Sequence, residues 1–140
     1  VQPREVKTDE LAADFNLADL DNNRVSLSNF KDKPVILFFW TTWCPFCRRE
    51  LKVLSDMYQK IIQDGLELLT INVGESFYKV AKFAKNYRFS FRVLLDEDSI
   101  VADSYYVLGV PTYIFIDKKG NIAFTSNYFS PKIYNEIISK

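Results

Sequence analysis

Two hydrophobic periods divide this chain. "PVILFFW" (34–40) and "LELLTINV" (66–73) are apolar runs without alternation, the pattern of strands buried on both faces. Between them, Leu51, Leu54, Met57, Tyr58, Ile61 and Ile62 recur at helical spacing and form one stripe, which Gly65 ends. Phe77, Val80, Ala81, Phe83, Ala84 and Tyr87 predict a second helix from Ser76 to Tyr87. "FRVLLD" reads as a short strand and "SIVADSYYV" as a short helix capped by Asp98 or Ser99. "TYIFID" and "IAFTS", joined by Lys118-Lys119-Gly120-Asn121, predict a hairpin. Ser130-Pro131 opens a last helix, with Ser130 as cap and Pro131 in its first turn. Upstream, "DFNLADLDNNRVSL" splits around Asp21-Asn22-Asn23 into an N-terminal β-hairpin. Residues 1–11 are expected to be a flexible arm and residues 12–140 a single domain. Alternating strands and helices imply an α/β sandwich with helices on both faces of a mixed sheet.

Composition narrows the chemistry. Of 140 residues, 48% are apolar and 26% charged, which suits a globular domain. Eighteen basic residues balance eighteen acidic ones, so nucleic acid is not an expected partner. Arg48-Arg49 reads as a solvated helix face. The chain has no histidine, which removes Ser-His and Cys-His couples and every His-containing metal site. Its longest apolar stretch, Val35 to Trp40, is far short of the ~20 residues a membrane helix needs. Val1 to Glu10 is polar, with neither a signal-peptide core nor an initiating Met, so a processed or truncated piece is expected, with any membrane anchor lying before Val1.

Both cysteines lie in "FFWTTWCPFC" (38–47). Two thiols without histidine cannot complete a usual zinc site, and Arg48 stands where a c-type haem site needs histidine. No metal and no cofactor are expected. A structural bridge across two residues would close a very small loop and remove little unfolded-state entropy. A reactive pair fits better, because the motif sits where a buried strand meets a helix. Free N–H groups and the positive end of the helix dipole stabilise an anion there. Cys44 is expected to cap the helix as the attacking thiolate, with Pro45 in the first turn and Cys47 as the resolving thiol. Trp43, Phe46 and Val110 are candidates for an apolar rim that binds an extended protein segment. Phe38, Phe39 and Trp40 are assigned to packing.

"FWTTWCPFC" and, some sixty residues on, "GVPTYIFID" resemble the thioredoxin fold. The order of "LADLDNNRVSLSNF", "INVGES", "DSYYVLGVPTYIFID" and "KKGNI" resembles the extracytoplasmic TlpA/ResA-like thiol-disulfide oxidoreductases across nearly the whole chain. The resemblance implies a thioredoxin-like fold with an inserted helix-strand unit. It implies a cis Pro111 facing the cysteines, with the Val110 backbone pairing with substrate. From the residues alone, Pro111 reads equally well as a rigid corner before a strand. Thioredoxins carry a buried Asp on the strand before the motif; Phe38 stands at the matching position. The resemblance offers Glu75 in "NVGES" instead, as a partly buried carboxyl of raised pKa near the sulfurs, although a solvated loop residue fits the same sequence. Glu50 is expected to face solvent or pair with a basic residue. Pro-Phe between the cysteines departs from the family's usual dipeptides, and Lys52 stands where relatives often have a kinking Pro.

These readings lead to a monomeric protein dithiol-disulfide oxidoreductase outside the cytoplasm, reducing protein disulfides with electrons from an unidentified thiol donor. The resemblance extends this to apocytochrome c during maturation. The same residues also fit a disulfide-forming oxidant, or a peptide-binding module whose disulfide is inert; a peroxiredoxin fits less well, since its cysteine lies in another motif.

Overall fold

The unbroken apolar runs become the middle of a sheet. A computed structural model describes residues 5–7 and 10–139. In chain order the strands are β1 (Glu5–Lys7), β2 (Asn16–Asp19), β3 (Arg24–Ser26), β4 (Val35–Trp40), β5 (Glu67–Val73), β6 (Arg92–Asp96), β7 (Thr112–Ile116) and β8 (Ile122–Ser126). The helices are α1 (Pro45–Gln63), α2 (Phe77–Tyr87), α3 (Ile100–Ser104) and α4 (Pro131–Ile138). The strands form one sheet in the order β1-β8-β7-β4-β5-β6-β2-β3. β4, β5 and β6 run parallel, and β7 returns antiparallel along β4. The expected thioredoxin-like architecture is present, with the hairpin β2–β3 added beside β6 and α2–β6 as the inserted unit.

β4 is buried at all six positions because it feeds two cores. Ile36, Phe38 and Trp40 pack with Leu51, Leu54 and Ile61 of α1 and with Ile133 and Ile137 of α4. Val35, Leu37 and Phe39 pack on the opposite face with Val101 and Ala102 of α3 and with Phe15 and Val25 of the hairpin region. Burying one such side chain stabilises by about 1.5–3 kcal/mol, so this strand is fixed in register from both sides. Its end, where the cysteine motif begins, is fixed with it.

The helix ends follow the sequence signals. Ser76 and Ser130 cap α2 and α4 by accepting the N–H groups of Lys79 and Ile133. Gly65 stops α1 with φ +87°, a left-handed conformation that side chains resist. Lys52 is exposed on a continuous α1 and pairs with Asp56 at 2.9 Å. Two expectations are corrected. Ser99 is left-handed (φ 64°) and its side chain makes no capping bond. Asp98 takes only the Ile100 N–H, while the buried Asp96 carboxylate accepts from Val101 (3.1 Å) and Ala102 (2.8 Å) and so anchors α3. Within the segment expected as an arm, Glu5–Lys7 pair with β8 as an edge strand; residues 1–4 and 8–9 lie outside the described residues.

Candidate active site

The cysteine motif starts at Cys44, three residues beyond the end of β4 at Trp40, after Thr41, Thr42 and Trp43. Cys44 holds extended backbone (φ −90°, ψ 114°) at the cap of α1, with Pro45 in the first turn. Its sulfur accepts the Cys47 N–H at 3.1 Å, so the first turn of the helix points a donor at the expected nucleophile. Both cysteines are free thiols and both are buried. The Cys44 sulfur also lies 3.9 Å from the Val110 carbonyl oxygen, to which the thiol donates. The Val110–Pro111 bond is cis, as the resemblance implies. Cys44, Cys47 and Val110 are therefore brought together from two distant parts of the chain.

Cys47 is in the harder environment. Burial pushes its thiol far up, the neighbouring Cys44 adds to this, and the Thr41 backbone and hydroxyl work the other way. The Phe38 ring lies on this side of β4, 4.6 Å from the ring of fully buried Tyr113. No carboxylate replaces it on the strand.

Glu75 does not have the expected raised pKa. Its buried carboxylate accepts from the Thr42 N–H (2.8 Å), the Thr42 hydroxyl (2.6 Å) and the Asn72 amide (2.7 Å), and Lys79 Nζ stands 3.2 Å away. Burial pushes this carboxyl up, but those donors outweigh it and hold the group below the usual range. These partners belong to the loop before Cys44, to β5 and to α2. Glu75 is thus tied to the backbone two residues ahead of Cys44.

Glu50 also departs from expectation. Its side chain turns inward, where Oε1 accepts from the Tyr113 hydroxyl (2.8 Å) and the Phe129 N–H (2.9 Å). Arg48 is half-buried and donates to the Thr42 carbonyl at 3.1 Å, while Arg49 lies over the Phe46 ring. Arg48 is thus part of the site's wall rather than solvated, while Arg49 is exposed as expected.

The rim residues face outward. Trp43 and Phe46 are exposed beside Cys44. A groove of about 690 Å³ runs past Phe46, Arg49, Val110 and Pro111 to Tyr106 and Leu108. Leu108 is 99% exposed and Tyr106 holds a left-handed φ of 55°. Sequence reading missed both, although two large apolar residues flanking Val107, so close to Val-Pro, were a visible signal.

Comparison with known proteins agrees with this geometry. Over 111 residues the chain is 39% identical to the thiol-disulfide oxidoreductase ResA of Bacillus subtilis, covering 79% of this chain and 62% of that protein. For ResA of Geobacillus kaustophilus the identity is 38%, over 79% and 64%. The chain therefore matches less than two thirds of the length of these relatives. Among solved structures, StoA of Bacillus subtilis matches with a TM-score of 0.77 and 25% identity over 93% of this chain and 98% of that one. The thioredoxin domain of a thiol-disulfide oxidoreductase of Bacteroides vulgatus gives 0.82 and 26% over 96% and 97%. A profile of the AhpC/TSA family matches residues 8–125. With its fold, its cysteine pair and this match in agreement, the chain belongs to the AhpC/TSA family.

Proposed function

We propose that this chain is a thiol-disulfide oxidoreductase that reduces disulfides of proteins outside the cytoplasm. The observation that carries the reading is the Cys44 sulfur at the start of α1, with the Cys47 N–H directed at it and the Val110 carbonyl beside it. Cys44, as thiolate, attacks one sulfur of a substrate disulfide; an S–S bond forms between them and the other substrate sulfur leaves as a thiolate. Cys47 then attacks the Cys44 sulfur, which closes the Cys44–Cys47 disulfide and releases the second substrate thiol. Two electrons pass to the substrate, and a thiol donor returns them. Trp43, Phe46 and the Val110–Pro111 segment seat an extended peptide against the pair. Pro45 sets the first turn, and Glu75 positions Thr42 and hence the loop carrying Cys44. Oxidised apocytochrome c is the substrate that the family resemblance of the sequence implies.

The direction of electron flow is set by the reduction potential of the Cys44–Cys47 couple, since a strong oxidant is one whose reduced form is stabilised. Equilibration of the Cys44–Cys47 couple with glutathione or dithiothreitol buffers tests this. A potential near thioredoxin's roughly −270 mV is expected, and one near DsbA's roughly −120 mV would reverse the direction. Hydrogen peroxide offered in place of a protein disulfide separates peroxide reduction from exchange.

A further inference from the structure

The resolving step is the one this site is least equipped for. Cys47 has no exposed surface, and to attack it must first lose a proton. The nearby acids are occupied elsewhere: Glu75 with Thr42, Asn72 and Lys79, and Glu50 Oε1 with Tyr113 and Phe129. Phe38 contributes only a ring. One polar side chain beside Cys47 is left over. Thr41 is the first residue beyond β4, only 6% exposed, and its Oγ1 is a buried oxygen without a hydrogen-bond partner. A buried hydroxyl left unpaired costs free energy. That cost is understandable if the partner exists only during turnover. The Thr41 backbone and hydroxyl lie close enough to Cys47 to favour its ionised form, while the hydroxyl falls short of a hydrogen bond to the sulfur.

We propose that the Thr41 hydroxyl, acting with the Thr41 N–H, is the donor that holds the Cys47 sulfur as it becomes a thiolate and attacks the mixed disulfide. This rests on the exchange reading above. Once Cys44 is joined to a substrate sulfur, the Cys47 proton passes to water and the thiolate attacks Cys44 Sγ. The Cys44–Cys47 bond forms, the bond from Cys44 to the substrate breaks, and the departing thiolate takes a proton from solvent.

The test uses the reduced protein and excess dithiobis(nitrobenzoate). Attack by Cys44 releases one thionitrobenzoate, and attack by Cys47 on the resulting mixed disulfide releases a second. Loss of one hydrogen bond to a charged sulfur raises its pKa by about one unit. That lowers the thiolate fraction about tenfold, and the higher nucleophilicity of the more basic sulfur returns about threefold. Thr41→Val should therefore slow the second release about threefold below its titration midpoint, shift its pH profile upward, and leave the first release unchanged. Thr41→Ser should keep the wild-type second release. A Thr41→Val second release equal to wild type at every pH overturns the proposal, as does a Thr41→Ser protein as slow as Thr41→Val. Should Thr41→Val fail to fold, seen as loss of the native circular-dichroism spectrum, Thr41→Ala is judged by the same criteria. A wild-type protein that releases only one equivalent overturns the exchange reading, and the role of Thr41 with it.

Discussion

Removing the Glu75 carboxylate should loosen the loop ahead of Cys44 at a cost that can be worked out from its partners. In Glu75→Ala, the buried Thr42 N–H and the fully buried Asn72 amide lose their acceptor. Each stranded group costs about 1–3 kcal/mol. The Thr42 hydroxyl can rotate to another partner, and Lys79, 58% exposed, adds under about 1 kcal/mol after screening. The sum is about 2–7 kcal/mol, a large part of a stability that for most domains is about 5–15 kcal/mol. Glu75→Gln keeps an oxygen for the Thr42 N–H and should lose about 1–2 kcal/mol. Urea unfolding of the reduced proteins reads this as a lower midpoint at unchanged slope. The pH dependence has a definite sign. The folded carboxyl lies below its ordinary value of 4.5, so its contribution is complete above that pH and disappears as pH falls through the folded value. The stability gap between wild type and Glu75→Gln should close on acidification. A gap that is absent at pH 7, or that grows in acid, would refute the strut.

Two further substitutions address the reaction and the groove. Cys47→Ser should leave substrate attached at Cys44, visible as a disulfide-linked adduct on a non-reducing gel, while Cys44→Ser should give none; the opposite result would exchange the roles of the two thiols. Leu108→Asp, at an almost fully exposed position, should change stability by no more than about 0.5 kcal/mol. It should also raise KM severalfold for a protein disulfide and not for a small one, and equal KM shifts would argue against peptide seating there.

What the sequence made legible was whatever depends on near neighbours. β4 and β5 announced themselves as unbroken apolar runs, α1 as a stripe, and Ser130 as a cap. Cys44 and Cys47 were readable for the same reason, since strand end, cap and first turn are contiguous. Orientation set by distant partners was not. Glu50 looks like a surface helix residue until Tyr113 and Phe129, 63 and 79 positions away, converge on it. The carboxyl of Glu75 is held low chiefly by Thr42, 33 residues earlier, where the local sequence read as a solvated loop and the resemblance implied a raised pKa. Asp96 displaced the nearer Asp98 and Ser99 because Ser99 adopts left-handed backbone and its side chain makes no capping bond. In β1, three residues reading "EVK" carry no strand signal, and only pairing with β8 defines them.

The two outer strands of the sheet bear on how such a protein can work among unfolded chains. Both β1 and β3 are three residues long, and a long bare strand at a sheet's margin is a template on which other polypeptides accumulate. If extended segments dock at Val110, as proposed above, they must also leave again. Strands this short offer a visiting chain few backbone groups along the described margins, so on that reading it would be held chiefly beside the sulfurs and depart when the covalent link is cut. Release would then be governed by chemistry rather than by adhesion, and the domain would be a poor seed for aggregation of its clients.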